Sequence, residues 1–290
     1  MRTARRLLLA LLALALAPLG ALAEAEELPL AEILSANSLD GIFSRHTSFS
    51  LNTIYYDSSG AEVYSTYQAM SFADGARTAA FEDSGGYTEF LADELVYLYD
   101  PADQSFTVLA FYGDQYDRYI AMYEDYLFVY DSASEIVRVK AADGRTIAHV
   151  YVQRTEDNDA FFQSLGAGDS DALSIAYTLD PETHAVLGYA ITALSGSKET
   201  LLARAFLSYS DTPIEPPAFV GELMQPKETR EITVVFHDGN VKTYVIAREA
   251  RFSMALPDGY DAYADAKGSA FASDFDHAGQ DAKVYILPGE

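Results

Sequence analysis

Residues 177–191 read YTLDPETHAVLGYAI. Two strand-like runs, ALSIAYTL and AVLGYAITAL, meet at Asp180-Pro181. An Asp side chain caps such a corner by accepting local backbone N–H bonds, and Pro presets φ for its first residue. The same pattern recurs in YDPADQSF at 99–106 and YDSSGAEV at 56–63. These carboxylates therefore read as chain reversals, not as chemistry, and their spacing predicts an antiparallel β protein.

Working outward, SFSLNTIYY and EVYSTYQAMSF alternate with period two about Asp57-Ser58-Ser59-Gly60. Asp74-Gly75 and Ser84-Gly85-Gly86 turn the next strands, RTAAFE and YTEFLA. ELVYLY and SFTVLAFY follow, then EIVRVK and TIAHVYVQ about Asp143-Gly144, and finally TLLARAFLSYS. In residues 29–46 the apolar positions Leu30, Ile33, Leu34, Leu39, Ile42 and Phe43 step by three and four, which predicts an amphipathic helix broken near Asn37-Ser38. Tyr116, Ile120 and Tyr123 predict a helix within 114–133, with Asp117, Arg118, Glu124 and Asp125 on its other faces; residues 155–171 read as a loop or short helix. Four Pro in 212–230 predict an extended linker, after which EITVVFHDGNVKTYVIA is a hairpin turned at Asp238-Gly239. The expected organisation is a signal peptide at 1–23, a curved antiparallel half-barrel sheet covered by helices at 24–210, a linker at 211–230 and a small β-rich domain at 231–290.

Arg2, Arg5 and Arg6 precede an unbroken Leu/Ala run from Leu7 to Leu16, and Ala21-Leu22-Ala23 fits a cleavage site. This is the pattern of a secretory signal peptide, too short in its apolar run to span a bilayer. The expected protein is exported and not integral to the membrane. Cleavage after Ala23 removes three Arg and no acid, leaving 16 basic against 44 acidic residues and a net charge of −28. Such a chain repels nucleic acid and anionic lipid headgroups. There is no Cys, so an exported fold must be held by burial alone. Tyr and Phe are abundant, with 21 and 16 copies, and Trp is absent, which is a β-leaning apolar set.

The stretches HTSFSLNTIYY and YTLDPETHAVLGYAI, with the helix-then-strands layout of 29–210, resemble the LolA-like superfamily of periplasmic lipoprotein carriers. The resemblance implies a half-open β-barrel lined by apolar residues, which binds acyl chains or other apolar ligands in its concave face. Residues 231–288 are similar to the small repeats of internalin-type (Listeria–Bacteroides) cell-surface proteins, through ITVVFHDGNVKTYVIAREARF, LPDGYDAYADAKGSAF and DAKVYIL. That family's Trp after the Gly-Tyr step is missing here; DAYAD follows Gly259-Tyr260. This similarity implies a β-grasp-like module used as spacer or contact surface.

No catalytic motif holds. Ser195-Gly196-Ser197-Lys198 fits S-x-x-K, but it follows a strand where the acyl-enzyme signature needs a helix. His46, His149, His184, His237 and His277 stand singly, and no H-E-x-x-H or G-x-S-x-G occurs. D-x-D occurs at Asp157/Asp159, Asp169/Asp171 and Asp274/Asp276. Only the last has a Gly, Gly279, at position six of a calcium loop, and its twelfth residue is Tyr285. Solvated loop acids are the reading, with weak calcium binding the sharper alternative; no cofactor or metal is expected. Tyr is dense over 55–130, which suits half-buried strand packing or, as the sharper alternative, sugar stacking or a ligand groove. The expected function is a non-enzymatic carrier of an apolar or amphipathic ligand such as a lipid. Its binding residues would be Ile33, Leu34, Ile42 and Phe43 from the N-terminal helix with Tyr97, Tyr99 and Phe111 from the sheet. The alternative is a module that contacts another cell-envelope protein and holds no small molecule.

Overall fold

The computed structural model describes residues 30–121, 135–140, 145–269 and 280–289, with 135–140 given by backbone alone. The expected signal peptide at 1–23, the expected Asp143-Gly144 turn, the Asp274/Asp276 motif with Gly279, and Tyr123, Glu124, Asp125, Tyr126, Tyr130 and His277 lie outside the described residues.

In chain order, α1 (Leu30–Ala36) and α2 (Leu39–Phe43) precede β1 (Ser48–Tyr56), β2 (Glu62–Ala73), β3 (Ala76–Asp83), β4 (Thr88–Ala92), β5 (Leu95–Asp100) and β6 (Ser105–Phe111). Then come α3 (Gln115–Ala121), β7 (Glu135–Lys140), β8 (Thr146–Gln153), α4 (Asp159–Ser164), β9 (Ala172–Leu179), β10 (Val186–Ser195) and β11 (Lys198–Ser210). The chain closes with α5 (Ala218–Met224), β12 (Thr229–Phe236), β13 (Val241–Ala247), β14 (Arg251–Ala255), β15 (Tyr260–Tyr263) and β16 (Ala282–Pro288). The protein is mainly β, with a large curved, unclosed sheet, a smaller four-stranded sheet and a few short helices, the class its turn spacing predicts. Two compact units form, and they interleave in sequence. One holds the described residues of 1–37, 56–61 and 128–206; the other holds 38–55, 62–127 and 207–290.

In the first unit β7 to β11 make an antiparallel meander. Strand alternation sorts its side chains onto two faces. Val150, Ile175 and Ile191 align across three strands, as do Val152, Leu173 and Ala193, and all six are buried. The stretch LDPETHAV is the β9–β10 turn. Asp180 Oδ1 accepts from Glu182 N at 3.0 Å, Thr183 N at 2.7 Å and Thr183 Oγ1 at 2.9 Å. His184 closes the turn with φ of 58°. The turn also docks α1: Asn37 Nδ2 donates to Ile33 O at 2.8 Å and His184 O at 2.9 Å, and Asn37 Oδ1 accepts from Val186 N at 2.8 Å. His184 Nε2 lies 3.2 Å from Glu32 Oε2. Asn37 is 5% exposed, so these bonds are largely shielded from water. Ser195 and Lys198 are register partners across the β10–β11 turn, whose Gly196 has φ of 59°. The S-x-x-K stretch is thus a hairpin corner.

The second unit begins at the predicted helix break: Ser38 caps α2, its side chain accepting from Gly41 N at 3.0 Å. Strands β2 to β6 form an antiparallel meander, and β14 adds to β6 in parallel, pairing Phe252 with Val108 and Met254 with Ala110. The smaller sheet runs β13-β12-β16-β15, a central parallel pair flanked by antiparallel partners. Within the stretch expected to be a linker, residues 218–224 form α5. Its Val220 and Leu223 are buried in the same core as Phe90, Tyr97, Ile232 and Val284. Apolar burial of this kind contributes about 1.5–3 kcal/mol per large side chain, enough to hold a short helix of weak intrinsic stability. Arg230 on β12 is 2% exposed; its guanidinium donates to Ala250 O at 2.7 Å and Gln280 O at 3.1 Å, joining loop carbonyls to the strand.

Candidate functional site

In the second unit the register of β2 to β6 defines two faces. Phe90, Tyr97, Val108 and Ala110 share one face, with Tyr99 and Phe106 further along it. That face packs against the four-stranded sheet, β14 and α5. Tyr99 and Phe106 each lie 5.8 Å from the Phe219 ring. The opposite face carries Met70, Phe72, Phe81, Leu91, Val96, Leu98, Leu109 and Phe111. Helices cover it: Phe43 of α2 lies 6.1 Å from Phe49 and 5.9 Å from Phe72, and Phe111 lies 5.4 Å from Tyr116 and 5.3 Å from Tyr119 of α3.

The expected binding residues thus fall in three places. Ile42, buried on α2, Phe43 and Phe111 belong to the helix-covered side. Tyr97 and Tyr99 point the other way, into the core beneath the small sheet. Ile33, 1% exposed, and Leu34, 38% exposed, belong to α1 in the first unit. The residues that share the helix-covered face with Phe111 are Val96, Leu98 and Leu109, one place off the tyrosines. Period two makes both parities visible in ELVYLY, but only the packing says which face each helix covers.

The helix-covered face is incompletely sealed. Phe72 is 42% exposed, and Phe81, Leu98 and Leu109 are only partly buried. A carboxylate, that of Glu89, sits on it opposite Leu98. Its Oε1 accepts from Tyr87 Oη at 2.7 Å and its Oε2 from Tyr119 Oη at 2.7 Å. Burial, followed by the bond to Glu89, pushes the Tyr87 phenol up, and burial with the Glu89 charge does the same to Tyr119. Both phenols therefore stay neutral donors, and the Tyr119 bond ties α3 to the sheet through a polar contact in an apolar field. The Tyr116 hydroxyl, also buried, is pushed up to about 12 and has no hydrogen-bond partner among the described residues.

Open clefts lie elsewhere in this unit. One of about 740 Å³ is lined by Glu222, Lys227, Glu228, Arg248 and Glu249 with Gln225 and Pro226. One of about 400 Å³ lies over Thr53, Tyr67 and Glu82, and one of about 410 Å³ lies beside Tyr112 and Asp238. Among the described residues no group of three or more His, Asp or Glu gathers that could hold a metal ion. Among them, too, no helix is long and apolar enough to cross a membrane.

No protein-family model matches the chain, and no curated protein matches it. Among solved structures, the chain is similar to an uncharacterized conserved protein from Thermus thermophilus, at 10% identity and a TM-score of 0.35, over 66% of this chain and 96% of that one. It is also similar to LprF from Mycobacterium bovis, at 11% identity and a TM-score of 0.33, over 67% of this chain and 98% of that one.

Proposed function

We propose that this is an exported, non-enzymatic carrier that holds an apolar or amphipathic ligand against the helix-covered face of the larger sheet. The half-covered apolar strip of Phe72, Phe81, Leu98 and Leu109 under α2 and α3 carries the reading. Such a strip is stabilised when an acyl chain replaces water over it, at about 25 cal/mol per Å² buried. The sequence resemblance to LolA-like carriers and the signal-peptide pattern support it. The net charge of −25 favours ligands with neutral or cationic headgroups.

Native mass spectrometry of the protein purified from its producing cells tests this. A bound apolar species is expected, or a rise in melting temperature when the delipidated protein meets phosphatidylcholine or a fatty amine. Neither effect with several lipid classes overturns the carrier.

A second reading, contact with another cell-envelope protein, is favoured by β13. It ends the four-stranded sheet and exposes Val241 and Val245, each to 61%. An edge strand with outward apolar side chains is a site for strand addition. Val245→Lys is expected to abolish such an association and to leave lipid capture unchanged.

A further inference from the structure

We propose that the cleft between the β4–β5 turn and the β12–β13 turn binds a neutral saccharide. The cleft is open to solvent, with a volume of about 410 Å³, and Glu94, Tyr112, Phe236, Asp238, Asn240 and Lys242 are among its lining residues. That volume lies within the range of small-ligand sites, about 300–1,000 Å³.

Its floor is aromatic. Tyr112 stacks on Phe236 with centroids 4.7 Å apart and an interplanar angle of 17°, and Tyr260 leans on it at 5.7 Å. Tyr112 is only half-buried, so part of its ring surface remains at the cleft, and its hydroxyl lies 3.3 Å from Nδ1 of the exposed His237. A phenol ring offers an apolar platform with a polar tip, which matches the apolar C–H face and hydroxyl edge of a sugar ring.

The rim is polar, mixed in sign and held in place. Asn240 is fixed on Asp238 by its backbone N at 2.9 Å and its Nδ2 at 2.7 Å. Lys242 Nζ lies 3.5 Å from Glu94 Oε2 and 5.1 Å from the Tyr244 ring centroid. Donors (Lys242, Asn240) and acceptors (Glu94, Asp238), paired with one another, thus line one space. Their charges offset one another, so neither a strong anion nor a strong cation is selected. The net charge of the chain further repels anions.

Two features show that the Glu94 side of the cleft departs from what folding alone favours. Asp93 and Glu94 have φ of 54° and 60°, so both central residues of a two-residue hairpin turn are left-handed, a role that Asn-Gly fills without strain. Near the turn, the Tyr116 hydroxyl is buried with no hydrogen-bond partner among the described residues. Burial raises the Tyr116 phenol and the negative charge of Glu94 adds to it, which places this buried hydroxyl in the field of the Glu94 carboxylate.

The test uses the full chain. Affinity electrophoresis in gels containing laminarin, xylan, mannan or glycogen is expected to show retardation by at least one of them. Calorimetric titration with short oligosaccharides of that polymer then gives a dissociation constant. Asp238→Ala and Glu94→Gln are each expected to weaken it about tenfold. Both side chains are exposed, so the variants keep their fold, which a thermal melt checks; Glu62→Gln, at a different cleft, is expected to change nothing. Failure of every polysaccharide to retard the protein, or retardation that both cleft variants leave intact, overturns the proposal. Lipid capture is read separately, so this outcome and that of the carrier reading are independent.

Discussion

Asn37 shows how much one side chain can do where a helix ends. It satisfies two carbonyls and one N–H at the meeting of α1 with the β9–β10 turn, at 5% exposure. Asn37→Ala leaves the Val186 N–H buried without its acceptor, at a cost of about 1–3 kcal/mol. Urea denaturation should show a lower midpoint with an unchanged slope; an unchanged midpoint would count against this role. His149 on β8 marks a different dependence. Burial lowers its pKa below the ordinary 6.5, and its Nδ1 has no hydrogen-bond partner among the described residues. The unfolded chain therefore takes up the proton first. This contribution is complete above pH about 6.5 and is lost as pH falls through the window between 6.5 and the lowered folded value. His149→Gln should flatten the melting temperature between pH 7 and 5, about the ordinary histidine range; an equally steep fall in the variant removes His149 as the cause. Asp57 and Asp103 act in a separate window. The side-chain hydrogen bond from Ser59 lowers Asp57, and that of Ser105, followed by that of Arg251, lowers Asp103. Their contribution is present above the ordinary value of 3.8 and is lost as pH falls below it. The role of Asn37 is not legible in the sequence: the helix break near Asn37-Ser38 is visible, but its partner, Val186, lies 149 residues further along the chain.

At the scale of single elements, the alternation of SFSLNTIYY, ALSIAYTL and their neighbours predicts the strands to within a residue or two. It does so because each strand has one face more buried than the other. Where both faces are covered, the pattern loses its information. ELVYLY is such a case: Val96 and Leu98 face the helices, while Tyr97 and Tyr99 face the small sheet. Two substitutions separate these roles. Tyr97→Ala should destabilise by about 3–5 kcal/mol, the cost of emptying a core aromatic site, without altering the selectivity of lipid capture. Leu98→Ser, on the half-covered strip, should weaken lipid capture with a smaller loss of stability. Equal lipid affinity for Leu98→Ser and the unsubstituted protein would move the ligand away from this strip. Strand β14 is equally hidden from a sequence reading. RFSMA is short, and its burial comes from pairing with β6, far away in sequence.

At the scale of the whole molecule, the two compact units interleave in the chain, and the second draws residues from both sides of the Pro-rich stretch. The core under the small sheet joins Phe90, Tyr97 and Val108 to Val220, Ile232, Phe252 and Ile286. A chain ending at Ser210 therefore exposes one whole face of β4 to β6, and it should aggregate or show no cooperative melt. A monomeric, cooperatively folded 24–210 fragment would instead show that the larger sheet stands alone. The same burial of Val220 and Leu223 directs limited proteolysis to 211–216, ahead of α5, not into the helix. The linear chain alone specifies the mainly β class, the hairpin corners at Asp57, Asp100 and Asp180, the helix break before Ser38 and the absence of disulfides. These are local matters of turn chemistry and period, settled within about ten residues. Packing across the chain settles which face of each strand meets the helices, that β14 joins the larger sheet, and that a helix sits within the Pro-rich stretch. Those depend on which apolar surfaces find each other, because burial rewards any complementary pair of faces and a strand's period names its faces without naming their partners.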